Sequence, residues 1–598
     1  MVLSGSQIII QLLEQHGIRT VAGIPGGSIL PLYDELYSSD IQHVLVRQEQ
    51  AAGFIAQGVA RVSGKAAVCM ATSGPGAMNL LTSVADARCD SIPMVAITGQ
   101  VNTSLIGTDA FQEADTFGLS FPITKHSMMV KSPAELLEAV PMAFAIAESG
   151  RPGPVLIDVP RNVQAAKCEV PADFENYFDK IYKHYIESKK GMKYQTEEKM
   201  IPLVAENFAK ILKDAKKPVL YVGGGANSPL AAEKIAEFIS VYNIPVVSSL
   251  MGIGVVSSHS ENFIGMVGMH GSYAANRVMY EADLVLAAGA RFDDRATGVV
   301  EKFCPNAVKN LGILHIDIDA AEVNKILSSS SYLILDCAQA FSHINSALKK
   351  LDLSAFKADR DSWVKSCAET KKNEKIVLEL GCDQSDCCGN RSCGVKAGGK
   401  YRNPRDFIAS LPSLAAEFGL TEDDLIVATD VGQHQMWTAQ FYPIKNPRQL
   451  LTSGSLGTMG FGLPAAIGAA MAAPEKRVVC ISGDGSILMN IQELATLSEL
   501  GLNVTVIVLD NGCLGMVRQQ QEYLFDKHYS ASTFISHPDL LKVAEGFGIR
   551  TADADADSEW TKKAFGEKGP CFVRTLISRY ETVLPFVKSG CANIDALR

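Results

Sequence analysis

Val478-Val479-Cys480-Ile481-Ser482-Gly483-Asp484-Gly485-Ser486 is an apolar run that closes on an aspartate between glycines, and Val504-Thr505-Val506-Ile507-Val508-Leu509-Asp510-Asn511 repeats the plan. Short Val/Ile-rich runs of this kind read as strands buried on both faces, as in a parallel sheet covered by helices. In an open parallel sheet, ligands sit beyond the carboxyl ends of the strands. Two consecutive strand ends therefore bring Asp484 and Asn511, 27 positions apart, to one place. A carboxylate, a side-chain amide and a backbone carbonyl are hard oxygen ligands that suit a Mg²⁺ ion also holding phosphate oxygens. The glycines let backbone N–H groups approach an anion, and Ser486 starts a helix whose N-terminus favours negative charge. Alone, the motif would be a strand-to-helix turn with a capping serine; Asn511 after a second strand favours the metal-and-phosphate reading.

The same texture, an apolar run, a Gly or Asp turn and a helical pattern, recurs in three regions and predicts an α/β protein of three doubly wound parallel-sheet domains. The first domain spans residues 1–170, with strands at 66–71, 93–98 and 154–159. Residues 171–196 are charged and irregular and read as a linker. The second domain spans 197–351, with strands at 218–222, 284–288 and 313–318. Residues 352–402 read as a second linker carrying Cys382, Cys387, Cys388 and Cys393. That insertion has no CxxC pair, and adjacent cysteines suit tetrahedral chelation poorly, so it reads as exposed chain rather than a metal site. The third domain spans 403–598.

The bulk numbers agree. A chain of 598 residues exceeds one ordinary core. Hydrophobic residues make up 47% and charged residues 20%, with a net charge of -10 and no basic block, which argues against a nucleic-acid partner. The longest apolar stretch, 460–474, is Gly/Ala-rich and too short to span a bilayer. The 14 cysteines are scattered through apolar strands and no signal peptide precedes the first helical pattern, so reduced thiols and a cytoplasmic location are expected.

Gly483-Asp484-Gly485 followed by Asn511 at this distance resembles the signature of thiamine-diphosphate-dependent enzymes. The resemblance implies that Asp484, Asn511 and the carbonyl of Cys513 hold Mg²⁺, while Gly483, Gly485, Ser486, Leu514, Gly515 and Met516 border the diphosphate. The family's Asn-Asn stands here as Asp510-Asn511. Such an enzyme needs a carboxylic acid at the pyrimidine ring nitrogen of the cofactor, sharing a proton with it. Glu49 is the candidate. On its own it is a surface glutamate in the first turn of a helix beginning near Ala51. Arg-x-Glu-Gln-x-Ala-x-x-x-Ala, however, resembles the family's catalytic-glutamate helix, with Gln48 in place of the usual His. Two glycine-rich turns, 23–27 with Pro25 and Gly26, and 73–79 with Asn79, would border the pyrimidine; Met78 replaces a usual Thr there. Glu49 and Asp484 belong to different domains. In the resembling family such sites are shared between subunits, so a homodimer or tetramer is expected.

Further motifs resemble the acetohydroxyacid (acetolactate) synthase catalytic large subunits. They are Gly107-Thr108-Asp109-Ala110-Phe111-Gln112-Glu113, Asp430-Val431-Gly432-Gln433-His434-Gln435-Met436-Trp437, and Gly457-Thr458-Met459-Gly460-Phe461-Gly462. Met459 would be the wedge that bends the cofactor, and Phe111 and Gln112 would face the reacting centre from the other subunit. Lys125 is a candidate for a substrate carboxylate, with an exposed lysine as the alternative. In the middle domain, Arg291-Phe292-Asp293-Asp294-Arg295-Ala296-Thr297-Gly298 resembles the FAD-associated motif of the biosynthetic synthases. Leu250, Met251, Gly268, Met269, His270, Gly289, Asp317 and Ile318 fit the same FAD lining, and Gly223-Gly224-Gly225 after a strand is a weak pyrophosphate cradle without GxGxxG. The implied reaction decarboxylates pyruvate and condenses the two-carbon unit with a second small 2-oxo acid, pyruvate or 2-oxobutyrate. Gln520 stands where many members have Trp, which implies a weaker preference for 2-oxobutyrate. A small regulatory subunit is a family partner, and no membrane partner is implied. The rivals are a catabolic acetolactate synthase, another thiamine carboligase or a pyruvate oxidase, and, from another class, a non-catalytic nucleotide-binding protein.

Overall fold

The computed structural model describes residues 1–189, 195–374, 401–588 and 590–598. The cysteine-rich insertion lies outside the described residues.

Three parallel six-stranded sheets carry the chain. In chain order, β1 (Val2–Ser4) precedes β2 (Thr20–Gly23), β3 (Gln42–Leu45), β4 (Ala67–Ala71), β5 (Met94–Gln100), β6 (His126–Met129) and β7 (Pro154–Pro160). A short β8 (Lys167–Glu169) returns to pair antiparallel with β1. The middle sheet holds β9 (Pro218–Val222), β10 (Val246–Ser248), β11 (Phe263–Met266), β12 (Leu284–Ala288), β13 (Gly312–Asp317) and β14 (Ser331–Ile334). The third holds β15 (Leu425–Thr429), β16 (Leu450–Leu451), β17 (Arg477–Gly483), β18 (Val504–Asp510), β19 (Arg550–Asp553) and β20 (Cys571–Leu576). Their central strands are buried throughout, as continuous apolar runs require.

The first and third sheets share one topology. Their orders, β3-β2-β4-β5-β7-β6 and β16-β15-β17-β18-β20-β19, are both 2-1-3-4-6-5 when each sheet is counted from its own first strand. The middle sheet, β11-β10-β9-β12-β13-β14, is 3-2-1-4-5-6, the order typical of dinucleotide-binding folds. The strand order reverses between β2 and β4, between β9 and β12, and between β15 and β17, and in the first and third sheets the last strand, β7 or β20, turns back once more to lie inside β6 or β19. Crevices form at such switch points, and nearly every residue singled out in the sequence follows one of these strands.

Both expected linkers need correction. Part of residues 171–196 is the helix Tyr177–Lys189, and Phe174 and Phe178 join the core of the first sheet. Part of 352–402 is the helix Lys357–Lys372, whose Trp363 is buried against the middle sheet with Nε1 donating to the Pro218 carbonyl at 3.0 Å. Charge on the outward faces of these helices hid their apolar side. Among the described residues no helix is long and apolar enough to cross a membrane. The ten cysteines among them are unpaired.

The apolar stretch near 460–474 is the helix Gly462–Ala472, packed against Glu49–Ser63. Glycines set that contact. A Cβ on Gly58 would lie 2.2 Å from the Ala465 carbonyl oxygen, and one on Gly468 would lie 2.0 Å from that of Ile55. Gly58→Ala should therefore destabilise the chain by about 1–3 kcal/mol, because backbone must move; an unchanged denaturation midpoint would contradict this contact. Beside it lies a charged bridge. Arg61 Nη2 donates to Asp90 Oδ2 at 2.8 Å, and Asp90 accepts the N–H groups of Gly454 and Ser455 at 2.9 and 2.8 Å. Asp86 accepts the hydroxyls of Ser453 and of Thr458, the latter at 3.0 Å. The loop that ends at Met459 is thus held by acids of the first domain. Burial pushes the Asp86 carboxyl up, and buried acids of this kind persist only when paired.

Candidate functional site

The polar loops of the third sheet meet where its order reverses. In β15, Thr429 pairs with Ile481 of β17, and in β17 Gly483 pairs with Leu509 of β18. Residues 430–434, 483–486 and 510–516 therefore leave the sheet side by side, and each loop feeds a helix: Gln433–Phe441, Asp484–Ile487 and Gly515–Leu524. Helix N-termini at one point make an anion site. The loops pack so tightly that a Cβ on Gly515 would lie 2.1 Å from Gln433 Oε1, and one on Gly485 would lie 2.7 Å from Leu514 Cδ2.

Asp484 is buried. Its Oδ2 accepts the Gly512 N–H at 2.8 Å and faces His537 Nε2 at 3.0 Å, while among the described residues no donor reaches Oδ1. Asn511 Oδ1 accepts the Cys513 N–H at 3.1 Å, which places Asn511 and the backbone of Cys513 together. Asp510 is pushed up to about 6 by burial and by the neighbouring Asp484. The bond to Asp484 raises His537 above an ordinary histidine.

Around this core, Asp430 Oδ1 accepts the N–H groups of Val431 and Gly460 at 2.9 and 2.8 Å, tying the loop after β15 to the one that bears Gly457 and Met459. Burial pushes Asp430 up to about 6. His434 is buried beside Gly432 and Gly483, and burial drives it down to about 3, so it is neutral. Its Nε2 has no partner among the described residues. A buried ring nitrogen without a partner, beside Gly483 and a helix N-terminus, is a place where a ligand oxygen would be satisfied. Gln433 Nε2 donates to Gln519 Oε1 and to the Glu581 carbonyl, both at 2.9 Å, so the C-terminal segment is fastened to the site.

In the first sheet, Gly23 pairs with Leu45 and Met70 at the reversal between β2 and β4. Glu49 opens the helix Glu49–Ser63 rather than preceding it, and Gln48, in extended conformation, caps it by accepting the Gln50 N–H at 2.6 Å. Asn79 Nδ2 donates to Glu49 Oε2 at 3.0 Å, so two of the expected residues meet. Gly26 and Gly76 both crowd Thr72, and a Cβ on Gly76 would lie 3.3 Å from Glu49 Oε1. Gly74, at φ +59°, lets the 107–113 loop approach, since a Cβ there would lie 2.6 Å from the Gln112 carbonyl oxygen. Gln112 itself sits at φ +57°. Phe111 is 88% exposed and Met78 53% exposed, large apolar groups left uncovered next in sequence to Gln112 and Asn79.

Lys125 is a correction. Its ammonium donates to the carbonyls of Ile146 and Ser149, the latter at 2.7 Å, where it closes the end of the helix Leu136–Glu148. That use of the ammonium replaces the expected contact with a substrate carboxylate. Among the described residues no hydrogen bond or ion pair joins Glu49 or Asn79 to Asp484, Asn511 or Gln433 within the chain. Gln520 lies half-buried on the helix Gly515–Leu524.

At the middle switch point, Gly223, Gly224 and Gly225 follow β9 and Gly289 follows β12. The weak cradle reading changes here. Gly223 and Gly225 donate to the carbonyls of Ala288 and Gly289 at 2.9 and 3.0 Å, so only Gly224 keeps its N–H out of backbone pairing. The glycines let two backbones touch: a Cβ on Gly223 would lie 2.2 Å from the Gly289 carbonyl oxygen. Asp293 caps the helix Asp294–Thr297 by accepting the N–H groups of Arg295 and Ala296, both at 3.1 Å. Arg291 reaches out of the sheet to the Cys89 carbonyl at 2.8 Å and Ser455 Oγ at 2.7 Å. His270 is pushed down to about 4 by burial, stacks on Phe586 at 5.7 Å and has an unpartnered Nδ1. Leu250 and Met251 form the turn after β10, and Met251 lies against Gly454. Met269 accepts the Val587 N–H at 3.1 Å, and Gly268, at φ +110°, abuts the Arg295 carbonyl. Asp317 ends β13, its carboxyl pushed up to about 6 by burial, with Ile318 next.

Sequence reading missed Gln519 and His537. Nothing in Gln519-Gln520-Gln521 separates the buried member from its neighbours. His537 precedes Pro538-Asp539, which carries only a helix-cap signal.

The sequence matches the thiamine pyrophosphate enzymes over three successive stretches: the N-terminal TPP binding domain over residues 3–119, the central domain over 205–344 and the C-terminal TPP binding domain over 430–575. It is 43% identical to the acetolactate synthase isozyme 1 large subunit of Escherichia coli (strain K12), over 99% of this chain and 97% of that protein. It is 40% identical to the isozyme 2 large subunit of the same organism, over 100% and 99%. With the acetolactate synthase large subunit of Haemophilus influenzae the identity is 39%, over 99% and 97%.

Proposed function

The chain belongs to the acetolactate synthase large subunits of the thiamine pyrophosphate enzymes, and from that membership we propose how its residues divide the work. The reaction is the joining of two small 2-oxo acids, with loss of CO₂ from pyruvate, in branched-chain amino acid biosynthesis. The observation that carries the assignment of roles is the convergence of Asp484 and Asn511 at neighbouring strand ends, beside three helix N-termini and the unpartnered His434 Nε2.

Mg²⁺ would be held by Asp484 Oδ1, Asn511 Oδ1 and the Cys513 carbonyl, with the diphosphate on the N–H groups of 432–434, 485–486 and 515–516. Thiamine diphosphate, when bound, supplies the carbanion and electron-sink chemistry that side chains lack. Glu49 holds a proton at the pyrimidine nitrogen, and Asn79 fixes the carboxyl by its bond to Oε2. Met459 would support the cofactor, and the Asp86–Thr458 bond positions that loop. Phe111 and Gln112 would exclude water from the site once a second copy covers them. FAD would lie in the middle crevice, where the strand order and the free His270 Nδ1 suit a dinucleotide. The first domain extends to the helix Tyr177–Lys189 and the middle domain to the helix Lys357–Lys372, whose aromatics pack on their sheets, and the third domain begins near 403.

The uncovered Phe111 and Met78, together with Met489 and Ile535 on the third domain, suit burial against a second copy, so each site is assigned Glu49 from one protomer and Asp484 from its partner. A small regulatory subunit and a cytoplasmic setting complete the proposal. The direct test incubates the purified protein with pyruvate, thiamine diphosphate and Mg²⁺, with and without FAD. Acetolactate and CO₂ are expected; peroxide formation or no product would overturn the reading.

Gln520 gives a narrower expectation. A methylene in a pocket is worth about 1–3 kcal/mol. Gln520→Trp should therefore raise discrimination for 2-oxobutyrate over pyruvate about tenfold in a competition assay, and an unchanged product ratio would remove Gln520 from the acceptor pocket.

A further inference from the structure

Three polar side chains lie inside the first sheet, next to the loop that carries Phe111 and Gln112. Thr98 and Asp158 are partners in the β5–β7 pair, and Thr98 Oγ1 donates to Asp158 Oδ1 at 2.7 Å. Two positions further along β5, Gln100 Nε2 donates to Asp158 Oδ2 at 3.0 Å and to the Ala114 carbonyl at 2.8 Å. Its Oε1 accepts the Val101 N–H at 2.8 Å. Both ends of the amide are engaged, so the side chain has one orientation. Asp158 and Gln100 are buried, and burial pushes the Asp158 carboxyl up to about 7. A polar cluster this deep costs stability unless its bonds are made. The loop itself hangs from Ala114 as one body. Glu113 accepts the N–H groups of Gly107 and Ala110, the latter at 2.9 Å, and its own N–H donates to the Ala110 carbonyl at 3.0 Å. A shift of Ala114 therefore carries Gln112 and Phe111 with it.

We propose that Gln100, oriented by Asp158, is a positioning residue that sets Phe111 and Gln112 against the reacting centre. The inference rests on the reading of those two residues as a cover against water. Without the Gln100–Ala114 bond the cover loosens, and an opened site permits side reactions that a closed one prevents. The two-carbon unit left when the C–CO₂ bond of pyruvate breaks then takes a proton at carbon instead of joining a second 2-oxo acid. The electron pair of the broken bond stays on carbon, one proton is consumed, and pyruvate ends as acetaldehyde and CO₂ with no oxidant or reductant.

The test measures acetaldehyde and acetolactate together in the full-length holoenzyme, with hydrogen–deuterium exchange over residues 107–115. Gln100→Met keeps the volume and removes the three bonds. Its kcat for acetolactate should fall about tenfold, the share of acetaldehyde should rise, and exchange in the loop should quicken. Asp158→Leu should move each readout the same way. Asp158→Asn should restore them, since the Thr98 hydroxyl can accept from the new amide and leave its oxygen to Gln100. Thr98→Val loses a bond at the same depth without touching Gln100, so it should lower the denaturation midpoint and leave the product ratio alone. Unchanged exchange in Gln100→Met, or a product ratio that merely follows the denaturation midpoint across the variants, would overturn the inference. So would a ratio unchanged in Gln100→Met while Phe111→Ala shifts it. If Phe111→Ala leaves the ratio alone and Gln100→Met still quickens exchange, the reading of Phe111 as a cover falls and the hold of Gln100 on the loop stands.

Discussion

Glu49→Gln lowers turnover by about 10²–10⁴-fold while thiamine diphosphate stays bound. The carboxyl sits at the N-terminus of its helix with Oε2 already engaged by Asn79 Nδ2. Glutamine keeps the shape and an oxygen for Asn79, but its amide cannot share a proton with a ring nitrogen. Initial rates of acetolactate formation, set beside a fluorescence titration with the cofactor, separate the two effects. A variant that kept more than about a tenth of wild-type turnover would remove Glu49 from the chemistry. Equal loss of binding and turnover would make it a structural residue.

Asp484→Asn has the second large effect, and it falls on binding. Groups that merely support a metal ligand are each worth about 10–100-fold in affinity, so loss of the ligand's own charge should exceed the upper end. Mg²⁺-dependent cofactor binding should therefore fall by more than about 100-fold. Asp484 is buried, and the neighbouring Asp510 has its Oδ1 3.5 Å from His537 Nε2. Isothermal titration with Mg²⁺ and thiamine diphosphate measures this directly; near-normal affinity would mean that the cation lies elsewhere.

The sequence made the sheets legible because their strands are buried on both faces, and an uninterrupted apolar run can be read without its partners. Val478–Ile481 and Val504–Leu509 are the clear cases. The same runs exposed the strand ends, so Asp484, Asn511, Gly432 and Gly223 fell at crevices once the strand order was known. The helices Tyr177–Lys189 and Lys357–Lys372 were illegible because a few buried aromatics, Phe178 and Trp363, anchor otherwise charged surfaces. Lys125 was misread because a lysine's partner is set by tertiary position: helix-end carbonyls are reached only after folding. His537 was invisible for the same reason, lying 53 positions from the carboxylate it meets. The glycines at 223 and 225 carried a phosphate-loop texture, yet their N–H groups serve the neighbouring crossover.

The most direct test mixes the two inactive variants, Glu49→Gln and Asp484→Asn, by co-expression. A site that takes its acid from one protomer and its metal carboxylate from the partner leaves one wild-type site in each hybrid dimer, so the mixture should recover about one quarter of wild-type turnover. Activity no higher than that of either parent, with hybrid dimers demonstrated, would mean that both groups come from the same chain.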